Sequence, residues 1–378
     1  GASGGTVSVV SGGGIAVSGV VEAKGDIGVG GGIYLKSATD LTLDASANLT
    51  ASGASGGTVS VVAGGTASVS GTVEAKGDTS AGGQVAILGD LTGVFDGARV
   101  DASGATGGGT ILVGGDYQGS AILSGGVALP NSRRTYVGRD TVLRADAIGS
   151  GDGGKVIVWA DDTTRYYGSI SARGGASGGD GGFVEVSGKD TLTFNGKVDT
   201  RAPQGKSGTL LLDPANIVIS DGSGDSANDG DASTTSFAGS GSGTGVVVSG
   251  DNPVGGTLTL FQSELEGIAA TTSISLQATS AITINDLANN NLNLAQTGGN
   301  SVSFNSAVFH MDASDTITTA GGALNITTTG AATVGGLSTA GGAIALDLGG
   351  ASTVSGVIAG IGTTLTKNGA GTLTLSGA

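Results

Sequence analysis

The chemistry open to this chain is narrow. Its 378 residues contain one histidine, His310, in the phrase Ala307-Val308-Phe309-His310-Met311, and no cysteine. A histidine-dependent triad, a multi-histidine metal site or a thiolate site cannot be assembled from this sequence. His310 reads as a surface residue on a repeating strand. Carboxylates are more plentiful. Asp161-Asp162 beside Arg165, and Asp146 near Arg144, come nearest to the paired acids of a glycosidase or pectin-type lyase, which must converge on one face. Adjacent acids on a strand point to opposite faces, so Asp161-Asp162 reads as a turn and no catalytic residue is assigned. Asp221, Asp225, Asp229 and Asp231 lie in a Gly/Ser-rich run. They offer the oxygen ligands that hard cations prefer, a weak calcium candidate. The tandem nonapeptide of calcium-binding β-rolls and the EF-hand spacing are both missing, and no other metal or cofactor is expected. A third group mixes arginines with aromatics: Arg133, Arg134, Arg139 and Arg201 accompany a candidate surface patch of Arg144, Trp159, Arg165, Tyr166, Tyr167 and Arg173. Such a patch can hold sugars or acidic partners. The alternative is that the aromatics, with Tyr136, stack on one another and the arginines pair with Asp140, Asp146, Asp161 and Asp162. Phosphate-loop patterns of the GxGxxG kind carry no weight in so glycine-rich a chain.

The elements that must position these groups follow from charge and glycine. A net charge of −15 with only 16 basic residues argues against nucleic acid or an anionic membrane as partner. No apolar run reaches 18 residues, so no membrane insertion as a helix is expected. There are 77 glycines and only 4 prolines. Collagen needs glycine at every third position and abundant proline, and helices lose about 1 kcal/mol for each glycine they carry in place of alanine. What remains is disorder or a glycine-punctuated β repeat, and periodicity decides between them.

The glycines are periodic. Residues 1–26 and 53–78 match at 21 of 26 positions. A glycine followed by an alternating β-branched run recurs at Gly5, Gly32, Gly57, Gly83, Gly109, Gly154, Gly182 and Gly208, in steps of 27, 25, 26, 26, 45, 28 and 26. The step of 45 reads as two shorter ones, with Arg134–Gly138 in the gap. A second phrase, of the form Val73-Glu74-Ala75-Lys76-Gly77, follows each run. Coils of about 26 residues, each with two or three strands, are predicted for 1–219. One coil cannot bury its apolar side alone, but stacked coils share a core. Glycine suits their corners, where positive φ costs it nothing, and its small size lets coils stack closely. Residues 220–256 break the rhythm as a Gly/Ser/Asp-rich loop or flexible insertion. Residues 257–378 resume it with coils of about 20, aligning Leu324 with Ile344, Val334 with Val354 and Leu337 with Val357, and placing Phe304 and Ile317 in matching positions. Asn289, Asn290, Asn291, Asn293, Asn300 and Asn305 suit corners or stacked ladders. The chain opens on a phrase, Gly1–Gly5, that recurs at Gly53–Gly57, and reads as a piece of something longer. The fold class expected is all-β, a solenoid of parallel strands.

Three stretches carry a family resemblance: 100–117 (VDASGATGGGTILVGGDY), 151–175 (GDGGKVIVWADDTTRYYGSISARGG) and 178–220, with Leu210-Leu211-Leu212-Asp213-Pro214-Ala215-Asn216-Ile217 the most telling phrase. They resemble the filamentous haemagglutinin-type exoproteins of two-partner secretion systems. The tail, Leu365–Gly377, is similar to the strand repeat associated with autotransporter passengers. The resemblance implies a right-handed parallel β-helix and export through an outer-membrane transporter engaged by a region not in this chain. It implies a secreted or cell-surface location on a Gram-negative bacterium, and an adhesive role toward host or bacterial glycans or proteins, in aggregation or in biofilm attachment. The family's Asn-Pro-Asn secretion phrases do not occur here, so this segment belongs to the shaft. Self-association into an extracellular matrix filament is the alternative, and a polysaccharide-acting β-helix enzyme is the rival from another class.

Overall fold

A computed structural model describes residues 2–377 apart from 96, 121, 125–126, 195, 222–256 and 269. The chain is a parallel β-helix built as two compact units, the first running to Gly208 and the second taking the described residues from Thr209 onward.

The first unit stacks seven coils of three strands, so three parallel sheets form, each with one strand per coil. The third coil is typical: Thr58–Ala63 lies in the first sheet, Thr66–Val69 in the second and Thr72–Glu74 in the third. Alternation of Val with Thr or Ser explains the geometry, because a period of two puts every second side chain on one face. Ile33, Val59, Val85, Ile111, Val156 and Val184 fall in one inward row, in register from coil to coil and completely buried. Each contributes roughly 1.5–3 kcal/mol relative to exposure. The register is more regular than the glycine positions suggest. Thr6 stands beside Gly32, Gly32 beside Thr58, Thr58 beside Gln84 and Gln84 beside Thr110, each a step of 26.

Two expectations are corrected here. The step of 45 is one coil, not two. Thr110–Val113 pairs with Gln84–Ile87 on one side and Lys155–Val158 on the other, while Arg134–Val137 is the second strand of that same coil, between Leu91–Val94 and Thr163–Tyr166. The extra length is an excursion between the two strands. It carries a 3₁₀ turn at Tyr117–Gly119 and an antiparallel hairpin of Ile122–Ser124 with Val127–Leu129. The second correction concerns why glycine recurs. Gly31, Gly57, Gly83, Gly109, Gly154, Gly182 and Gly208 are not among the positive-φ residues. A Cβ at any of them would instead collide with the carbonyl oxygen of the glycine one coil earlier. Each also donates its N–H to the carbonyl of the small residue just after the preceding third strand, as Gly57 to Ala51 (2.8 Å) and Gly83 to Ala75 (2.7 Å). Close approach of backbones, the other property of glycine, sets this column.

In the second unit the step shortens along the chain. Ile274 pairs with Val302, Val302 with Leu324, Leu324 with Ile344 and Ile344 with Leu365, steps of 28, 22, 20 and 21. The aligned pairs Leu324/Ile344 and Val334/Val354 are in register, as are Phe304 with Ile326 and Ile317 with Leu337. Leu337, however, faces Ile358 and not Val357. Val357 is 55% exposed, since a shift of one residue moves a side chain to the opposite face. Thr257–Phe261 pairs with Asn216–Ser220 on the edge away from Ala281–Ile284, so strand order in this sheet departs from chain order. Asn290 takes a corner with φ 55°, whereas Asn305 stands in register with Gln277 and Thr327, not with other asparagines. His310 is exposed between Thr283 and Thr333 on the neighbouring coils. Of the expected excursion 220–256, only Ser220 and Asp221 are among the described residues.

Candidate functional site

The six residues of the arginine–aromatic patch do not share an accessible face. Trp159, Arg165, Tyr166 and Tyr167 are buried, at 5%, 4%, 0% and 4% exposure, while Arg144 and Arg173 are exposed. The cause is strand parity and the excursion. Val156 and Val158 point inward, so Ile157 and Trp159 lie on the outer side of the first sheet. There they form an apolar cluster with Ala86, Leu88, Leu112 and, from the excursion, Leu129. The Trp159 indole N–H donates to Asp161 (2.8 Å), and Asn131 bridges Asp161 (3.1 Å) to the Gly119 carbonyl (2.8 Å). Lys155 pairs with Asp116 (2.6 Å), Tyr117 meets Phe183 edge-on, and the Gln118 N–H reaches the buried carboxylate of Glu185. Trp159 is the seat of the excursion.

The remaining aromatics stack coil over coil. Phe95, Tyr136 and Tyr167 form one column, with ring centroids 5.6 and 6.0 Å apart, and Arg139 lies over the Tyr167 ring at 5.5 Å. Tyr166 points into the core, stacks on Phe194 at 5.4 Å and donates its hydroxyl to the Lys197 carbonyl (3.2 Å). Burial pushes that phenol well above its ordinary range. Asp161 and Asp162 do occupy the turn between two strands, and Asp162 pairs with Arg134 (3.2 Å). Size and alternation in the segment Lys155–Tyr167 were the signals for burial: large apolar side chains on both faces require a cover on each.

The exposed chemistry lies along the third sheet and the corner after it. At one position successive coils carry Glu22, Thr50, Glu74, Asp101, Arg144, Ser171 and Asp199. Two residues on come Lys24, Ser52, Lys76, Ser103, Asp146, Arg173 and Arg201. Odd coils therefore bear an acid–base pair. Lys24 holds Glu22 at 2.6 Å and Lys76 holds Glu74 at 3.5 Å. The fifth coil reverses the order, Arg144 before Asp146 (3.6 Å). Asp146 then accepts from Ser171 Oγ (2.6 Å) and from the Arg173 backbone N–H (2.7 Å) in the next coil. Arg201 grips Asp199 with two nitrogens, at 2.9 and 2.6 Å. Burial raises the Asp199 carboxyl, but the bonds from Arg201 and the nearby Arg173 charge outweigh it and hold the group below its usual range. Beside these groups is a pocket of about 170 Å³, lined by three successive corners: Asp146, Ala147 and Ile148, then Arg173, Gly174 and Ala176, then Pro203.

Of the calcium candidates, Asp225, Asp229 and Asp231 lie outside the described residues. Asp221 accepts the Ala288 N–H (2.7 Å). Among the described residues, no three His, Asp or Glu side chains are placed to hold a metal ion. Asp221, Asp286 and Asp312 do act on Asp315, a buried carboxylate that accepts the Leu287 N–H at 3.2 Å. Desolvation, opposed by that bond and aided by the three like charges, raises the Asp315 pKa. The carboxyl is neutral in both states well below 3.8. Above that value its ionisation is harder in the folded chain, so stability falls as pH rises toward the raised folded pKa. Asp315→Asn keeps an acceptor for Leu287 and removes the titration. Its melting temperature relative to the parent chain should climb as pH rises above the ordinary carboxylate range and level off once pH has passed the raised folded pKa, read by calorimetry across pH. A difference that does not change with pH would count against this assignment.

No protein-family model matches the chain, and no curated protein matches it.

Proposed function

We propose that the chain is a non-catalytic structural and adhesive segment, part of the shaft of a large secreted or surface-bound protein of a Gram-negative bacterium, like the haemagglutinin-type exoproteins it resembles. Its work rests on stiffness and a repeated surface. The observation that supports this most is the unbroken register of seven coils in the first unit, with a glycine column that lets every coil close on the one before. The side chains with most chemical potential, Trp159, Arg165, Tyr166 and Glu185, are buried in this framework, which suits a scaffold. Parallel ladders with every coil paired to the next leave a protease few openings except at excursions.

Two measurements test the reading. Immunogold labelling of intact cells that make the protein should decorate the outer surface or shed material, and label confined to the cell interior would overturn it. Prolonged proteinase K digestion should cut at the excursion after Val113 and spare the coils before it. Rapid loss of the first four coils would be the contrary result. Electron microscopy of the shed material then separates single tethered stalks from ordered polymers of a matrix filament.

A further inference from the structure

We propose that the corner pocket of the first unit binds the carboxylate of an acidic sugar residue, a uronate within an extended polysaccharide, with Arg173 as the anchoring cation. The site does not depend on the scaffold role, because binding in solution needs neither a cell nor a fibre.

Four observations converge on it. First, on a chain of net charge −15, Arg144, Arg173 and Arg201 come from three successive coils, which stack about 4.8 Å apart; Arg173 and Arg201 hold the same place in their coils, and Arg144 stands two residues earlier in its own, in register with Ser171. Second, the cations are outermost and the acids recessed: Arg144, Arg173 and Arg201 side chains are 50%, 45% and 53% exposed, against 16% for Asp146 and 27% for Asp199. The face therefore presents positive charge to solvent. Third, Arg144 and Arg173 retain binding capacity. Their contacts with Asp146 and Asp199 are 3.6 and 3.8 Å, beyond hydrogen-bond length, so the five N–H donors of each guanidinium remain available for a bidentate carboxylate. Arg201, by contrast, is already bidentate on Asp199. That grip partly neutralises the acid that Arg173 would otherwise hold.

The fourth observation is the wall of the pocket. Ile148, 65% exposed, and Pro203, also exposed, stand on two of the three corners, with Gly174 as a floor between them. Apolar surface flanking a cation suits a pyranose ring, which offers C–H groups beside its carboxylate. A duplex phosphate backbone offers no such face. A neutral sugar would gain the wall but offer the guanidinium no charge-assisted bidentate bond, so the charged sugar is selected. Because the corners repeat with the coils, an extended chain lying along the stack keeps its next residues near Arg144 and Arg201.

The test is calorimetric titration of the whole chain with tetragalacturonate, with its methyl-esterified form and with a short DNA duplex. Saturable binding of the acid is expected, weakening as salt rises, with at least tenfold weaker binding of the ester and of DNA. Arg173→Ala should lower affinity tenfold or more and Arg173→Lys less, because lysine keeps the charge but not the fork. Ile148→Asp changes an exposed side chain with little packing to lose and should weaken binding by repulsion, so a folding defect in Arg173→Ala cannot carry the result alone. Arg133→Ala, which breaks the pair with Asp90 (3.1 Å) elsewhere on the unit, should leave binding unchanged. Equal binding of acid and ester, equal binding of DNA, or full affinity in both Arg173→Ala and Ile148→Asp would each overturn the site.

Discussion

Gly57→Val unfolds the first unit more readily than any core truncation nearby. Val59→Ala removes two methyl groups from a fully buried site, a loss of roughly 2 kcal/mol once the cavity is included. The glycine change acts on the backbone. A Cβ at Gly57 would overlap the carbonyl oxygens of Gly31 and Gly30, which cannot move aside without separating two paired coils. A cost above about 4 kcal/mol follows, in the range reserved for severe mechanisms. Gly19→Ala is the informative control. Gly19 has φ 92° with open space around its Cβ position, so only conformational strain of about 1–2 kcal/mol applies. Chemical denaturation of the three variants should rank them Gly57→Val, then Val59→Ala and Gly19→Ala. If Gly57→Val is no more harmful than Val59→Ala, the close-approach account of the glycine column fails.

Tyr166→Ala costs about 3–5 kcal/mol, the range for emptying a buried aromatic site, because it removes a ring stacked on Phe194 at zero exposure. Tyr166→Phe keeps the ring and loses only the bond to the Lys197 carbonyl, so it costs about 1 kcal/mol. Denaturation curves of the two variants test this. Tyr166→Ala with unchanged stability and lost sugar binding would return the residue to the surface. The ranking also warns against reading glycan loss in Tyr166→Ala or Trp159→Ala as a lost contact, since each alanine damages the fold that carries the pocket.

The solenoid was legible because its signal is repeated. A chance alternation in one strand means little, but Thr58–Ala63 returning as Thr6–Ser11 under the same following phrase can be produced only by a unit that stacks on itself. The coil length of the first unit and the pairing of Leu324 with Ile344 followed from that local arithmetic. The turn at Asp161-Asp162 followed from the opposite faces that adjacent strand residues take, and the step of 28 from Ile274 to Val302 exceeds the 20 expected beyond residue 256. The excursion after Val113 escaped it. Arg134–Val137 looks like a first-sheet strand in isolation, and only its neighbours, Leu91–Val94 and Thr163–Tyr166, assign it to the second. The slip between Val357 and Ile358 has the same origin, because two adjacent apolar residues satisfy an alignment equally and only one can face inward.

The candidate site divides along the same line. Arg144 and Arg173 were visible as cations in an acidic chain, yet nothing in the one-dimensional order separates them from Arg165 or from the tyrosines beside it. Their fates differ because burial is decided by parity, by what lies over each sheet and by which coil sits next. Residue types and periods along the chain by themselves determined that this protein is a stack of glycine-cornered β coils, since strand alternation and backbone pairing are local or strictly repeated. Only the tertiary structure decided which glycines are held by contact and not by φ, where the excursion folds back, and that three corners on consecutive coils meet to form a pocket. Those are relations between residues some 26 or more positions apart, and no local preference encodes them.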